Sequence, residues 1–177
     1  CILLFGGANQ SLTSSYLDTV FQACEKGDLL LLQNEINLLE EILTRAKEKK
    51  LSVALNPSPF DDSLKTLPLD AVRWFLINEI EGKALTGKEI PEEIGASLRQ
   101  AYPSCAVVLT LGSQGVYYED EKTVLRVPAV SVQAVDTTAA GDTYTGYFLA
   151  SLCARLSSEQ ALRRACLAAS IAVTRPG

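Results

Sequence analysis

The sequence predicts an α/β layer fold with a mostly parallel central sheet, and three observations predict it. Short apolar runs alternate with amphipathic stretches along the chain. Runs such as DLLLLQ (28–33) and CAVVLTLG (105–112) are continuously apolar, as expected of strands covered on both faces. With 177 residues, 47% of them hydrophobic, the chain can build one domain with a sizeable core. No internal repeat, domain linker or low-complexity stretch divides it.

The elements follow in order. CILLF (1–5) reads as a buried strand. SSYLDTVFQACEK (14–26) reads as a helix capped by Ser14 or Ser15. DLLLLQ (28–33) is the next strand. INLLEEILTRAKEKK (36–50) is the clearest helix, with Ile36, Leu39, Ile42, Leu43 and Ala46 on one face and Lys47, Lys49 and Lys50 at its C-terminus. LSVALNP (51–57) is a strand stopped by proline. AVRWFLIN (71–78) is a strand, and EIEGKALTG (79–87) a short helix ending at Gly87. Pro91, Glu92 and Glu93 open a helix running to about Tyr102. CAVVLTLG is the following strand. GVYYED (115–120) and KTVLRVPA (122–129) predict a hairpin around Asp120-Glu121. A helix follows the TTAAGD turn to about Arg155. Ser157 caps the last helix, with Gln160 completing a capping box.

Composition narrows the function. The net charge is −5 and no basic run is long, so nucleic acid is not an expected partner. No apolar run approaches the roughly 18 residues of a membrane span. Cys1, Cys24, Cys105, Cys153 and Cys166 form no CxxC or metal-binding pattern. Cys105, Cys153 and Cys166 lie in apolar or helical settings and are expected to be buried thiols. With no signal peptide, these features read as a reducing, cytoplasmic setting. There is no histidine, so any general base must be a carboxylate, lysine, cysteine or tyrosine. The chain has no methionine, opens on CILLFGG and ends at TRPG, so it is expected to be an internal or C-terminal piece of a longer one.

VDTTAAGDTYTGYFLA (135–150) runs from a strand-like end into small residues, then Asp142, then an amphipathic run. Small residues let a backbone approach a ligand closely. A helix beginning near Ala139, Ala140 and Gly141 points free N–H groups at that space, where phosphate can sit. Asp142 in the same turn can accept a proton from a hydroxyl nucleophile. Base and anion cradle then stand together, as alcohol phosphorylation requires. The plain alternative is an acidic residue favoured at a helix start by charge alone, with Asp136 and Thr137 as turn residues.

Three further stretches carry weaker signals. In TLGSQG (110–115), Gly112 and Gly115 can let the chain pass close to a nucleotide, or can simply serve a strand-to-hairpin turn. It is neither a Walker loop nor a nucleophile elbow. In NEIEG (78–82), Asn78 and Glu81 share a helical face and can orient Mg²⁺ through water; the alternative is a cap and a solvated face. In QNE (33–35), Gln33 and Glu35 follow an apolar strand, where open α/β sheets bind ligands, and are candidate substrate contacts. A nicotinamide-binding domain ranks last because GxGxxG is absent.

LLLQNE, VALNPSP, NEIEGKALTG, VLTLGSQGVYY, VPAVSVQAVDTTAAGD and LAASIAVTRPG occur in an order that resembles the ribokinase family, or PfkB-type carbohydrate kinases, over nearly the whole chain. The family's DTxGAGD signature is matched by residues 136–142, and the Ala-Ala version is similar to that of bacterial ribokinases.

The resemblance implies a ribokinase-like three-layer fold lacking the N-terminal strands and lid, and ATP-dependent phosphorylation of a sugar's primary hydroxyl, D-ribose first. Fructose, a nucleoside or another polyol is the alternative acceptor, and an inactive sugar- or nucleotide-binding regulator the alternative class. It implies Asp142 as catalytic base, Ala139, Ala140 and Gly141 as anion hole, and Asn78 and Glu81 as the nucleotide-phosphate and Mg²⁺-water region. Thr110, Gly112, Gly115 and Cys166 are implied at the nucleotide, and Glu35 at the sugar. A monovalent cation, usually K⁺, is implied at Asp136, Thr138, Ala172, Arg175 and Gly177. The pattern departs at Ile77, where the family often has proline, and at Cys166, where it can have histidine. GGAN (6–9) is not the family's GGxxxN motif. That motif and the lid lie in a part this chain lacks, so the isolated chain is expected to be inactive and the full protein to dimerise through the lid.

Overall fold

The computed structural model describes residues 5–176. The strand expected at residues 1–5 therefore lies outside the described residues, except for exposed Phe5, which is not in a strand.

Among the described residues one sheet of six strands runs in chain order. The strands are β1 (Leu29–Gln33), β2 (Ser52–Asn56), β3 (Val72–Asn78), β4 (Ala106–Thr110), β5 (Val116–Glu119) and β6 (Val124–Val127). The first four pair in parallel, while β5 and β6 return antiparallel. The helices are α1 (Ser14–Ala23), α2 (Leu39–Glu48), α3 (Glu79–Thr86), α4 (Pro91–Ala101), α5 (Ala140–Cys153) and α6 (Ser158–Ala172). Parallel neighbours need long crossovers, supplied by α2 between β1 and β2 and by α3 and α4 between β3 and β4. Between β5 and β6 the Asp120 carboxylate accepts the N–H groups of Lys122 and Thr123 at 2.9 and 2.8 Å, which closes the expected hairpin.

Successive side chains of a strand point to opposite faces, and this divides the interior into two cores. Phe75, Ile77, Val107 and Leu109 pack with α1, α2 and α4. Leu76, Ala106 and Val108 pack with Tyr144, Phe148 and Leu149 of α5 and Leu162 and Ala165 of α6. The continuous apolar character of β3 and β4 follows, because both faces are covered. At β1, Leu32 is buried but Leu31 is 44% exposed.

Several expected details shift. The cap of α1 is Thr13, whose hydroxyl accepts the Tyr16 N–H at 3.2 Å; Ser14 and Ser15 are already helical. The second helix starts at Leu39, not residue 36, because Leu38 takes a left-handed φ of 62°. Ile36 sits outside that helix yet packs against the same core. Cys105 and Cys166 are buried as expected, whereas Cys153, in the last turn of α5, is exposed. The Ser157–Gln160 capping box forms. No helix among the described residues is long and apolar enough to cross a membrane.

Candidate active site

Each of the four parallel strands ends on an amide or hydroxyl side chain: Gln33, Asn56, Asn78 and Thr110. The register sets Gln33 opposite Asn56 and Asn78 opposite Thr110. Together they line a cleft of about 320 Å³ at the carboxyl ends of the strands, where such sheets bind ligands. The start of α5 lines it too, from Ala139 through Asp142.

The α5 start has the geometry its small residues predict. Ala139 caps the helix in a left-handed conformation, φ 58°. The Ala140 N–H donates to the Thr137 carbonyl at 3.2 Å. Gly141 and Asp142 carry the next amides of a first turn that has no carbonyl four residues back within the helix. A Cβ built on Gly141 meets nothing within 4 Å, so packing does not demand this glycine, and its smallness keeps the cleft open beside those amides.

Asp142 makes no capping bond to its own helix. Its Oδ1 instead accepts Nε2–H of Gln33 across the cleft at 3.3 Å. The carboxylate is exposed and held from the far side of the sheet's edge of the site, which the plain helix-start reading does not anticipate.

Asn78 and Glu81 form a reciprocal capping box for α3: the Glu81 N–H donates to Asn78 Oδ1, and the Asn78 N–H to Glu81 Oε2, each at 2.9 Å. The cap reading holds. The solvated face does not, because Glu81 is 6% exposed and lines the cleft. Burial raises its carboxyl above the ordinary value, and the Asn78 hydrogen bonds pull the other way. Thr110 lines the cleft and donates to the Ile77 carbonyl at 3.3 Å. Glu35 lines it as well, its carbonyl held by Gln10 Nε2 at 2.8 Å.

Three of the expected nucleotide positions do not line this cleft. Gly115 does not line the cleft; at φ 94°, a Cβ there would stand 2.1 Å from the Val127 carbonyl oxygen, so the return of β6 demands glycine. Gly112 also lies off the cleft, in a left-handed turn at φ 54°. Cys166 does not line the cleft itself but packs in the α5–α6 core with Tyr144, which does, and burial pushes its thiol up to about 11.

The two segments that carry the expected cation ligands are tied to one another. The N–H groups of Val135 and Asp136 both donate to the Val173 carbonyl, at 2.7 and 3.2 Å, and the Thr138 N–H donates to Asp136 Oδ1 at 2.8 Å. This ties loop 135–138 to the C-terminal end of α6, where Ala172 and Arg175 lie. Gly177 is outside the described residues. The two segments offer backbone carbonyls and the Asp136 carboxylate, hard oxygens that suit a hard cation. No cluster of three or more Asp, Glu or Cys side chains suited to a metal occurs among the described residues.

Sequence reasoning passed over Asn56 and Tyr144. Asn56 ends β2 as Gln33 ends β1, and that shared strand-end position was the available signal. Tyr144 lines the cleft, but its buried hydroxyl has no partner among the described residues, and no local pattern marked it.

Residues 2–177 match the pfkB family carbohydrate kinase profile. The chain belongs to the pfkB carbohydrate kinase family. The ribokinase of Lactococcus lactis subsp. lactis (strain IL1403) is 34% identical over 180 residues, covering 99% of this pfkB chain and 57% of that protein. The crystal structure of ribokinase from Cryptococcus neoformans var. grubii serotype A in complex with ADP superposes with a TM-score of 0.83 at 29% identity, covering all of this chain and 62% of that one. Arabidopsis thaliana ribokinase complexed with ribose and ATP superposes with a TM-score of 0.80 at 28% identity, covering all of this chain and 60% of that one. The pfkB chain thus spans about three-fifths of the length of these relatives, and its α/β fold is theirs.

Proposed function

We propose that the protein containing this chain transfers the γ-phosphoryl group of ATP to the primary hydroxyl of a sugar, D-ribose to D-ribose 5-phosphate. The observation that carries this reading is the Asp142 carboxylate, standing free of its own helix's cap beside the first-turn amides of α5. Asp142 takes the hydroxyl proton as the sugar oxygen attacks the γ-phosphorus. The bond from phosphorus to the β–γ bridging oxygen breaks, and ADP leaves. Of the expected anion-hole amides at Ala139, Ala140 and Gly141, that of Ala140 already donates to the Thr137 carbonyl, and the amides at Gly141 and the adjoining Asp142 face the charge on the transferred group. The relatives described with ribose, ATP or ADP support this choice of substrates.

In this reading Glu81 holds Mg²⁺ through water. The ion's part is to neutralise phosphate charge, and a buried carboxylate with one oxygen used by the cap suits that indirect contact. Loop 135–138 and the end of α6 would hold K⁺, which would supply positive charge beside the turn. Glu35 contacts the sugar. The reading includes a dimer formed through the lid segment that this chain lacks, and a cytoplasmic setting.

The test is ADP formation by the full-length protein with Mg²⁺, K⁺ and D-ribose. Ribose-dependent turnover is expected, and Asp142→Asn should lower kcat by roughly 10²- to 10⁴-fold with nucleotide binding retained. Turnover with another acceptor alone would remove ribose and keep the mechanism. Ligand binding without ADP formation across an acceptor panel would favour the inactive regulator. An Asp142→Asn enzyme at full speed would remove the base.

A further inference from the structure

We infer that Gln33 is a positioning residue for Asp142: its side-chain amide fixes one carboxylate oxygen so that the other stays aimed at the substrate hydroxyl. The inference rests on the reading of Asp142 as base and adds to it a residue that acts only through that base.

Asp142 is exposed in the first turn of α5 and makes no bond to its own helix. A side chain so placed has two free torsions and no packing to choose between them. The hydrogen bond from Gln33 Nε2 to Oδ1, at 3.3 Å, supplies that choice. Its chemistry is settled by the acceptor. An ionised carboxylate has no proton to give, so the glutamine must present its N–H.

Gln33 is well placed to hold anything steady. It is the last residue of β1, paired with Asn56 of β2, and the neighbouring Leu32 is buried. The next residue, Asn34, is tied by its N–H to the Ser58 carbonyl at 3.0 Å and by its side chain to Asp61 at 2.8 Å. The amide therefore projects from a fixed strand end onto a carboxylate carried 109 residues later on α5. The contact joins the sheet side of the cleft to the helix side.

The experiment is a double-mutant cycle in the full-length enzyme, using Gln33→Met, Gln33→Glu, Asp142→Asn and the two combinations, assayed for ATP-dependent phosphorylation of D-ribose. Methionine keeps the length and removes the donor; glutamate keeps the shape and turns the donor into an acceptor. Losing one hydrogen bond to a charged group is expected to lower kcat about 10- to 100-fold in each single variant. The KM for ATP and the melting temperature should stay at wild-type values. In the Asp142→Asn background either Gln33 change should alter the residual rate by less than about twofold, since residues acting as one unit are not additive. Losses that multiply, a raised KM for ribose with unchanged kcat, or unchanged kcat in both single variants would each overturn the inference. If Asp142→Asn alone turned over normally, the fault would lie in the reading of the base and not in Gln33.

Discussion

Glu81 meets two demands, closing the cap of α3 and lining the cleft, and it does so from a buried position. Burial raises its carboxyl above 4.5, so from that value up to the raised one the folded chain binds more protons than the unfolded chain. The group's stabilising contribution is complete below 4.5 and disappears as pH climbs through the raised value. Glu81→Gln keeps an acceptor for the Asn78 N–H and cannot titrate. Its melting temperature, minus that of the parent, should therefore increase as pH rises from about 4.5, the carboxylate reference. A difference that stayed flat with pH would refute the account. At this scale the sequence revealed much but not all. Asp142, its small-residue turn and the Asn78–Glu81 pair were legible because their partners are local. The bond from Gln33 was not, because 109 residues separate donor and acceptor. Burial of Cys166 was read correctly, but its place in the core it shares with Tyr144 needed the packing of α5 on α6.

Elements were legible to the extent that their signals are periodic. The interiors of α2 and of all the strands from β1 to β6 follow from apolar runs and turn residues. Their ends depend on single backbone conformations, such as the left-handed Leu38 that delays α2. The two glycines between β4 and β5 show the same limit. Both look alike in TLGSQG, yet a Cβ at Gly112 meets open space while one at Gly115 meets the backbone of Val127, Pro128 and Ala129. Gly115→Ala should cost about 2–5 kcal/mol, combining left-handed strain with forced overpacking. Gly112→Ala should cost only the strain, about 1–2 kcal/mol. Urea unfolding midpoints would separate them, and equal costs would show that the crossing at Val127 is not what requires glycine.

The whole molecule is a sheet between two cores, and its stability should be graded accordingly. Val53, Ala54, Leu55, Phe75, Ile77, Val107, Val108 and Leu109 are all buried, so β2, β3 and β4 form the most protected layer. Amide hydrogen exchange in this chain is expected to be slowest there and faster at β1 and β6, which lie at the edges of the sheet among the described residues. Uniform protection across all six strands would contradict this gradient.

The cleft's lining has a consequence for the medium around it. Its carboxylates are Glu35, Glu81 and Asp142, its strand ends are neutral amides and a hydroxyl, and neither lysine nor arginine lines it among the described residues. A polyphosphate entering alone would add negative charge to a negative basin, with only the positive end of α5 to receive it. In the proposed reading such a basin would collect cations from solution first, and a nucleotide would arrive most readily with its charge already balanced. The dissolved ions then act as a movable part of the binding surface, so that the salt in which the protein is kept decides how much of that surface exists.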